Sequence, residues 1–208
     1  MALTNYTNLQ STIADTLNRD DLTSIIPTFI SLCEAAVNRD VRHWRMETRA
    51  NGVQDAGDAY MQVPADWVET VRFSVTDNGT SPIVLISPTS MAESRALSND
   101  QTGVPTAYTL EAGQFHLYPT PIAETNVELI YYAKVPPLAT NSTNWLMSQA
   151  PDIYLYGSLI HSAPYLQDDA RLAVWAQLYS AAVTRINESG MSAKVSGTNM
   201  KAKIRGLA

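Results

Sequence analysis

The residues able to carry chemistry are few and scattered. The three histidines, His43, His116 and His161, fall in different stretches, and no two stand at i, i+2 or i, i+4. A metal site would need the fold to gather them with carboxylates. Each has a plainer reading. His43 ends a helix, where a cation suits the dipole. His116 belongs to an alternating strand, and His161 to a Tyr-rich helix that offers hydrogen-bond partners. Cys33 is the only cysteine, so neither an intrachain disulfide nor a thiolate-rich zinc site is available. It lies on an apolar stripe and reads as a buried structural thiol, not a nucleophile. Asp20-Asp21 and Asp168-Asp169 stand at expected helix starts, where acids are common. A glycosidase pair needs a set separation across a sugar site, which sequence alone does not specify. No G-x-S-x-G elbow occurs, and no G-x-G-x-x-G or G-x-x-x-x-G-K-[ST] loop. The reading is no enzyme, no metal and no cofactor.

Surface chemistry is more informative. Trp145, Tyr154, Tyr156, Tyr165, Trp175 and Tyr179 crowd the last third of the chain. A helical core absorbs about half of them. Trp and Tyr are also enriched at protein interfaces, where each brings large area and a polar handle. Tyr154 and Tyr156 are two apart on one helix and cannot share a face, so Trp145, Tyr154 and Tyr156 are the candidate subunit interface. The last stretch, residues 191–208, holds four basic residues and no acid. Its cations Lys194, Lys201, Lys203 and Arg205 are interleaved with Val195, Met200 and Ile204. That mixture favours docking on an acidic protein surface over binding phosphates alone.

The elements that must position these residues follow from periodicity. Residues 4–43 read as two helices. Tyr6, Leu9, Ile13 and Leu17 share one face of the first, and Thr4 or Asn5 caps it. Ile26, Phe29, Ile30, Cys33, Val37 and Val41 stripe the second, with Pro27 in its first turn. From residue 45 the period changes. Residues 68–75 (VETVRFSV) and 83–86 (IVLI) flank Asn78-Gly79, a hairpin signal. Residues 108–111 and 114–118 flank Ala112-Gly113, a second one. Val127, Leu129 and Tyr131 alternate in a last strand, and shorter strands are expected around Met46–Ala50 and Tyr60–Val63. Residues 88–96 suggest a short helix, and 98–103 a polar loop. Residues 136–147, opening on Pro136-Pro137, read as an extended connector. Helix returns over 150–190, with Pro164 ending or kinking one helix, Asp168-Asp169 starting the next and Gly190 stopping it. Leu172, Trp175, Tyr179, Ala182 and Ile186 line that last helix. Residues 191–208 lack a period and read as a tail disordered in the free protein.

The expected fold class is therefore α+β. A helical bundle forms from the N- and C-terminal helices, with an inserted antiparallel β domain and an extended C-terminal tail. The segments are 1–44 for the first helix pair, 45–135 for the β domain, 136–190 for the connector and closing helices, and 191–208 for the basic tail. The chain has 208 residues, enough to bury a core without staples. Charged residues are 16%, against about 25% in ordinary domains. The polar surface is thus mostly Ser, Thr, Asn and Gln, and much of it is expected to meet other protein. Net charge is −6, and outside the tail ten basic residues face all 20 acids. An acidic body argues against a general nucleic-acid binder. No apolar run approaches a membrane span, and MALTNYTNLQ is not a signal peptide, so the expectation is a protein made in the cytoplasm that meets no membrane.

Four stretches together resemble one family. Residues 6–42 (YTNLQSTIADTLNRDDLTSIIPTFISLCEAAVNRDVR), 115–121 (FHLYPTP), 128–147 (ELIYYAKVPPLATNSTNWLM) and 151–179 (PDIYLYGSLIHSAPYLQDDARLAVWAQLY) are similar to head-to-tail adaptor (connector) proteins of tailed bacteriophages. They come in the family's order, while residues 50–105 match only in style. The resemblance implies a virion structural protein at the head-tail junction. Such adaptors form a ring, typically twelve-fold, between the portal protein and a tail or nozzle protein. Genome DNA passes through the channel without specific binding, and the C-terminal tail reaches the portal. That assigns Lys194, Val195, Met200, Lys201, Lys203, Ile204 and Arg205 to portal binding. Two other classes stay open on the residues alone: a virion-associated cell-wall hydrolase using Asp152, Asp168 or Asp169, and a DNA-binding accessory protein acting through the basic tail.

Overall fold

The computed structural model describes residues 3–77, 79–166 and 171–196. Within these, seven α-helices and mostly antiparallel sheets give an α+β chain. It divides into two compact units. One combines the residues up to Arg45 with those from Val135 onward, and the other is Met46–Lys134.

In the first unit, α1 (Tyr6–Leu17) starts where Asn5 accepts from the Asn8 amide and stops where Asn18 turns left-handed, at φ 53°. Its stripe of Leu9, Ile13 and Leu17 is buried. After a 3-10 turn, α2 (Ile26–Asp40) buries Ile26, Phe29, Ile30, Cys33, Ala36 and Val37. The chain returns to this unit through Pro136-Pro137. The extended connector expected there is corrected, because the stretch holds two short helices, α4 (Leu138–Asn141) and α5 (Trp145–Gln149). Polar side chains fix them: Glu34 Oε1 accepts from the Leu138 amide at 2.7 Å, and Asn144 Oδ1 accepts from the Met147 amide at 2.9 Å. Helix α6 (Pro151–Leu166) carries Pro164 inside it, and α7 (Leu172–Val195) comes next. Helix α6 packs against α2, α7, α1 and α5.

Two helix-end expectations need correction. Gly190 does not stop the last helix, which runs on to Val195. The glycine serves close approach instead: a Cβ there would lie 2.8 Å from His43 Cδ2 and 3.2 Å from its Cα. Residues 191–195 are thus helix, not tail. Residues 197–208, and the expected helix start at Asp168-Asp169, lie outside the described residues.

The second unit is two four-stranded sheets and a small two-stranded one. Its elements are β1 (Glu47–Gln54), β2 (Tyr60–Gln62), β3 (Trp67–Val75), β4 (Ser81–Pro82), β5 (Val84–Leu85), helix α3 (Pro88–Ser98), β6 (Thr102–Gly103), β7 (Ala107–Glu111), β8 (Gln114–Tyr118), β9 (Thr120–Pro121) and β10 (Thr125–Ala133). One sheet has the order β1-β10-β3-β4 and the other β2-β8-β7-β5. Strand β10 is central and alternates: Thr125, Val127, Leu129, Tyr131 and Ala133 are buried. Its apolar side chains meet Phe73, Tyr108, Phe115 and Leu117 in the unit's core. The β7–β8 hairpin turns at Ala112 and Gly113, both with positive φ, as a two-residue loop requires.

The stretch 83–86 departs from expectation. It is not the second arm of a hairpin around Asn78-Gly79, of which Asn78 lies outside the described residues. Only Ser81–Pro82 pairs with β3, and the Ile83 amide adds one bond to Phe73. Val84 and Leu85 then cross to the other sheet and pair parallel with β7. The expectation of antiparallel pairing throughout is corrected there and at β6–β9, also parallel. Short pairs of two residues are cheap to reorient, because so few ladder bonds define them.

Candidate functional site

The potentially reactive side chains stay apart. His43 lies beyond the end of α2, His116 is in β8 and His161 is on α6. Among the described residues, no group of three or more His, Cys, Asp or Glu could hold a metal. Cys33 is fully buried, and burial pushes its thiol up to about 12. A thiol held protonated is neither a nucleophile nor a ligand. Asp21 lies beside Arg19, whose Nε donates to it at 2.6 Å, and that pairing lowers its carboxyl. Asp152 Oδ1 accepts from the Ile153 amide at 3.2 Å, a helix-start role.

His43 is not the helix-end cation that its sequence position suggests. Helix α2 ends at Asp40, and His43 sits three residues on, with its ring between Trp44 (5.6 Å) and Trp145 (5.0 Å, stacked). Its Nδ1 accepts from the Arg45 amide at 3.2 Å. This is one end of a seam along which α7 is held to the end of α2. Tyr179 Oη donates to Asp40 Oδ2 at 3.0 Å, and burial first, then that carboxylate, raises the Tyr179 hydroxyl. Asn187 accepts from the Arg42 amide at 2.8 Å and donates to the Asp40 carbonyl at 2.9 Å. Gly190 closes the seam against His43. At its other end Gly157 of α6 abuts Cys33 and Tyr179.

The seam carries a pH dependence. Burial, then Arg45 and Lys194, lower the His43 pKa, and burial, then Arg39, lower that of His161. The unfolded chain then binds these protons more tightly than the folded one. Stability is full above the ordinary histidine value of about 6.5 and falls as pH drops through it. Thermal melts should show Tm decreasing on acidification below about pH 6.5, with a shallower decrease in His43→Gln. A Tm that climbs over that interval contradicts the assignment.

The aromatic candidates divide. Tyr154 has no exposed area, and its hydroxyl accepts from Asn144 Nδ2 at 2.8 Å. Its side chain lies wholly inside its own helical unit. Trp145 and Tyr156 are half-buried and keep exposed area. Sequence reading missed a second apolar strip. Val174, Leu178 and Ala181 follow i, i+4, i+7 on α7 and are exposed, off the buried stripe of Trp175, Ala182, Ile186 and Gly190. The signal is present in the spacing, but the Trp175 stripe masks it. Of the expected portal-binding residues, Lys194 and Val195 are in the last turn of α7. Met200, Lys201, Lys203, Ile204 and Arg205 lie outside the described residues.

The helical unit is split by the β unit in sequence, and α7 leaves the strip Val174, Leu178 and Ala181 exposed. The model of the SU10 adaptor protein family matches residues 4–201, nearly the whole chain, and the chain belongs to that family. The match agrees with the resemblance to phage adaptors and gives the chain a structural role of that kind. A comparison with individually curated proteins finds no match. No helix among the described residues is long and apolar enough to cross a membrane.

Proposed function

We propose that this chain is the head-to-tail adaptor of a tailed phage particle. Copies of it assemble as a ring, in which each subunit covers the narrow apolar strip on α7 of its neighbour, with twelve-fold symmetry as the resemblance implies. The ring joins the portal protein on one side to a tail or nozzle protein on the other. The observation that carries this reading is the family match over residues 4–201. The exposed strip Val174, Leu178 and Ala181, with half-buried Trp145 and Tyr156, supports lateral association. The body's excess of acids suits a conduit for DNA, since a like-charged wall does not retain phosphates. The basic stretch from Lys194 through Val195, Met200, Lys201, Lys203 and Ile204 to Arg205 docks on the portal. No catalysis and no cofactor enter this role.

Deletion of residues 197–208 tests the docking step. The truncated chain should keep its circular dichroism and Tm, since the deletion removes no part of α1 to α7. Capture by purified portal should fall by roughly tenfold or more, about 1.4 kcal/mol. Capture at the wild-type level refutes the assignment of the tail.

A further inference from the structure

Strand β1 is an open edge. It pairs with β10 in an unbroken register of eight residues, from Glu47 opposite Tyr132 to Gln54 opposite Thr125. Among the described strands nothing pairs with its other side. In an antiparallel ladder, alternate residues of such a strand point their N–H and C=O groups away from the sheet. Natural edges are usually short, bulged, or guarded by Lys or Pro. This one is eight residues long and regular, with no Lys or Pro, and its exposed charge is Arg49. Beside it runs a groove of about 280 Å³, lined by Ala50, Gly52, Met61, Pro64, Val127 and Leu129 among others. Gly52 lies in its floor, where a Cβ would make ordinary contacts with Val127 and Met61, at 3.7 and 3.8 Å. An added strand would complete the ladder and place every second side chain in an apolar slot.

The chain itself carries a segment of that design. Residues 200–205 read Met-Lys-Ala-Lys-Ile-Arg, with apolar and cationic residues in strict alternation. As a strand it puts Met200, Ala202 and Ile204 on one face and Lys201, Lys203 and Arg205 on the other. The twelve residues after Ser196 span up to about 40 Å when extended. The far end of β1 runs into Asp55 and Asp58, while Arg49, the strand's one cation, is engaged by Glu128 at 3.3 Å. A cation near that end of an added strand therefore has Asp55 as its acidic neighbour in the chain.

We infer that residues 200–205 of one copy add as an edge strand to β1 of a second copy, with Met200, Ala202 and Ile204 in the groove beside Gly52. The inference rests on the ring reading above, and it makes the portal and the neighbour's β1 edge competitors for one segment.

Hydrogen exchange on the full-length protein tests it. The Met200→Asp/Ile204→Asp variant alters only residues beyond α7. It should speed exchange of the outward-facing β1 amides by about tenfold or more, leaving β10 and α6 unchanged. Dilution of the wild-type chain by about 100-fold should produce the same loss, because the strand comes from another copy. Equal β1 exchange in wild type and variant overturns the inference, and so does protection that survives dilution. Portal capture by the same proteins reads the adaptor assignment separately. Wild-type protein that shows tail-dependent β1 protection but is never captured overturns the portal reading and leaves strand addition standing. Capture that depends on Met200 and Ile204 without any β1 protection does the reverse.

Discussion

Gly157→Ala is expected to destabilise the protein by about 1–3 kcal/mol, although alanine is the better helix former by about 1 kcal/mol. The position decides the sign. A Cβ on Gly157 would fall well inside 3.0 Å of Cys33 Sγ and would also sit 3.1 Å from Tyr179 Cε2. Cys33 is fully buried on α2, and its Sγ faces the Ile153 and Tyr154 carbonyls of α6, so it has no open space to rotate into. The helices must separate or the sulfur must leave a favoured rotamer. Because α6 packs against α1, α2, α5 and α7, separation there loosens the whole helical unit. Cys33→Ala removes the obstructing atom. In that background the Gly157→Ala cost should shrink by about 1 kcal/mol or more, measured by urea denaturation as a double-mutant cycle. An unchanged cost would place the strain at Tyr179 instead.

Phe115→Ala should cost more, about 3–5 kcal/mol. Phe115 is 1% exposed and sits in the shared core of the β unit. Its ring lies 5.1 Å from Phe73, 5.7 Å from Tyr108 and 6.1 Å from Trp67. Truncation strips three aromatic neighbours of their partner and opens a void that backbone ladders on both sides prevent from collapsing. At about 2–4 °C per kcal/mol for a chain of this size, Tm should drop by roughly 10 °C. Leu110, on the adjoining strand but exposed, is the control, and Leu110→Ala should cost under about 1 kcal/mol. Similar losses for the two would contradict the placement of the core.

Elements dictated by a single period are legible in the sequence. Leu9, Ile13 and Leu17 fix the buried face of α1, and Val127, Leu129 and Tyr131 fix that of β10, because burial on one face leaves one spacing in the sequence. Ala112-Gly113 marks its turn because a two-residue hairpin demands positive φ. Features that depend on a distant neighbour are hidden. Gly190 looks like a helix stop, yet its lack of a side chain serves contact with His43, far earlier in the chain. Residues 83–86 form one apolar run, and nothing local says that the chain changes sheets after Ile83. The connector after Pro136-Pro137 becomes helical through Glu34 and Asn144, which act on amides that no propensity identifies. Tyr154 and Tyr156 are equivalent by composition, and only packing makes the first core and leaves the second partly exposed. The functional class came from neither periodicity nor a reactive constellation but from four stretches in a family's order.

Residence of this chain at the head-tail junction of a phage particle is tested most directly by quantitative mass spectrometry of purified virions, counting the chain against the portal protein. An adaptor seated on the portal should have a copy number equal or close to that of the portal. Absence of the chain from the particle, or a copy number far from the portal's, contradicts that role.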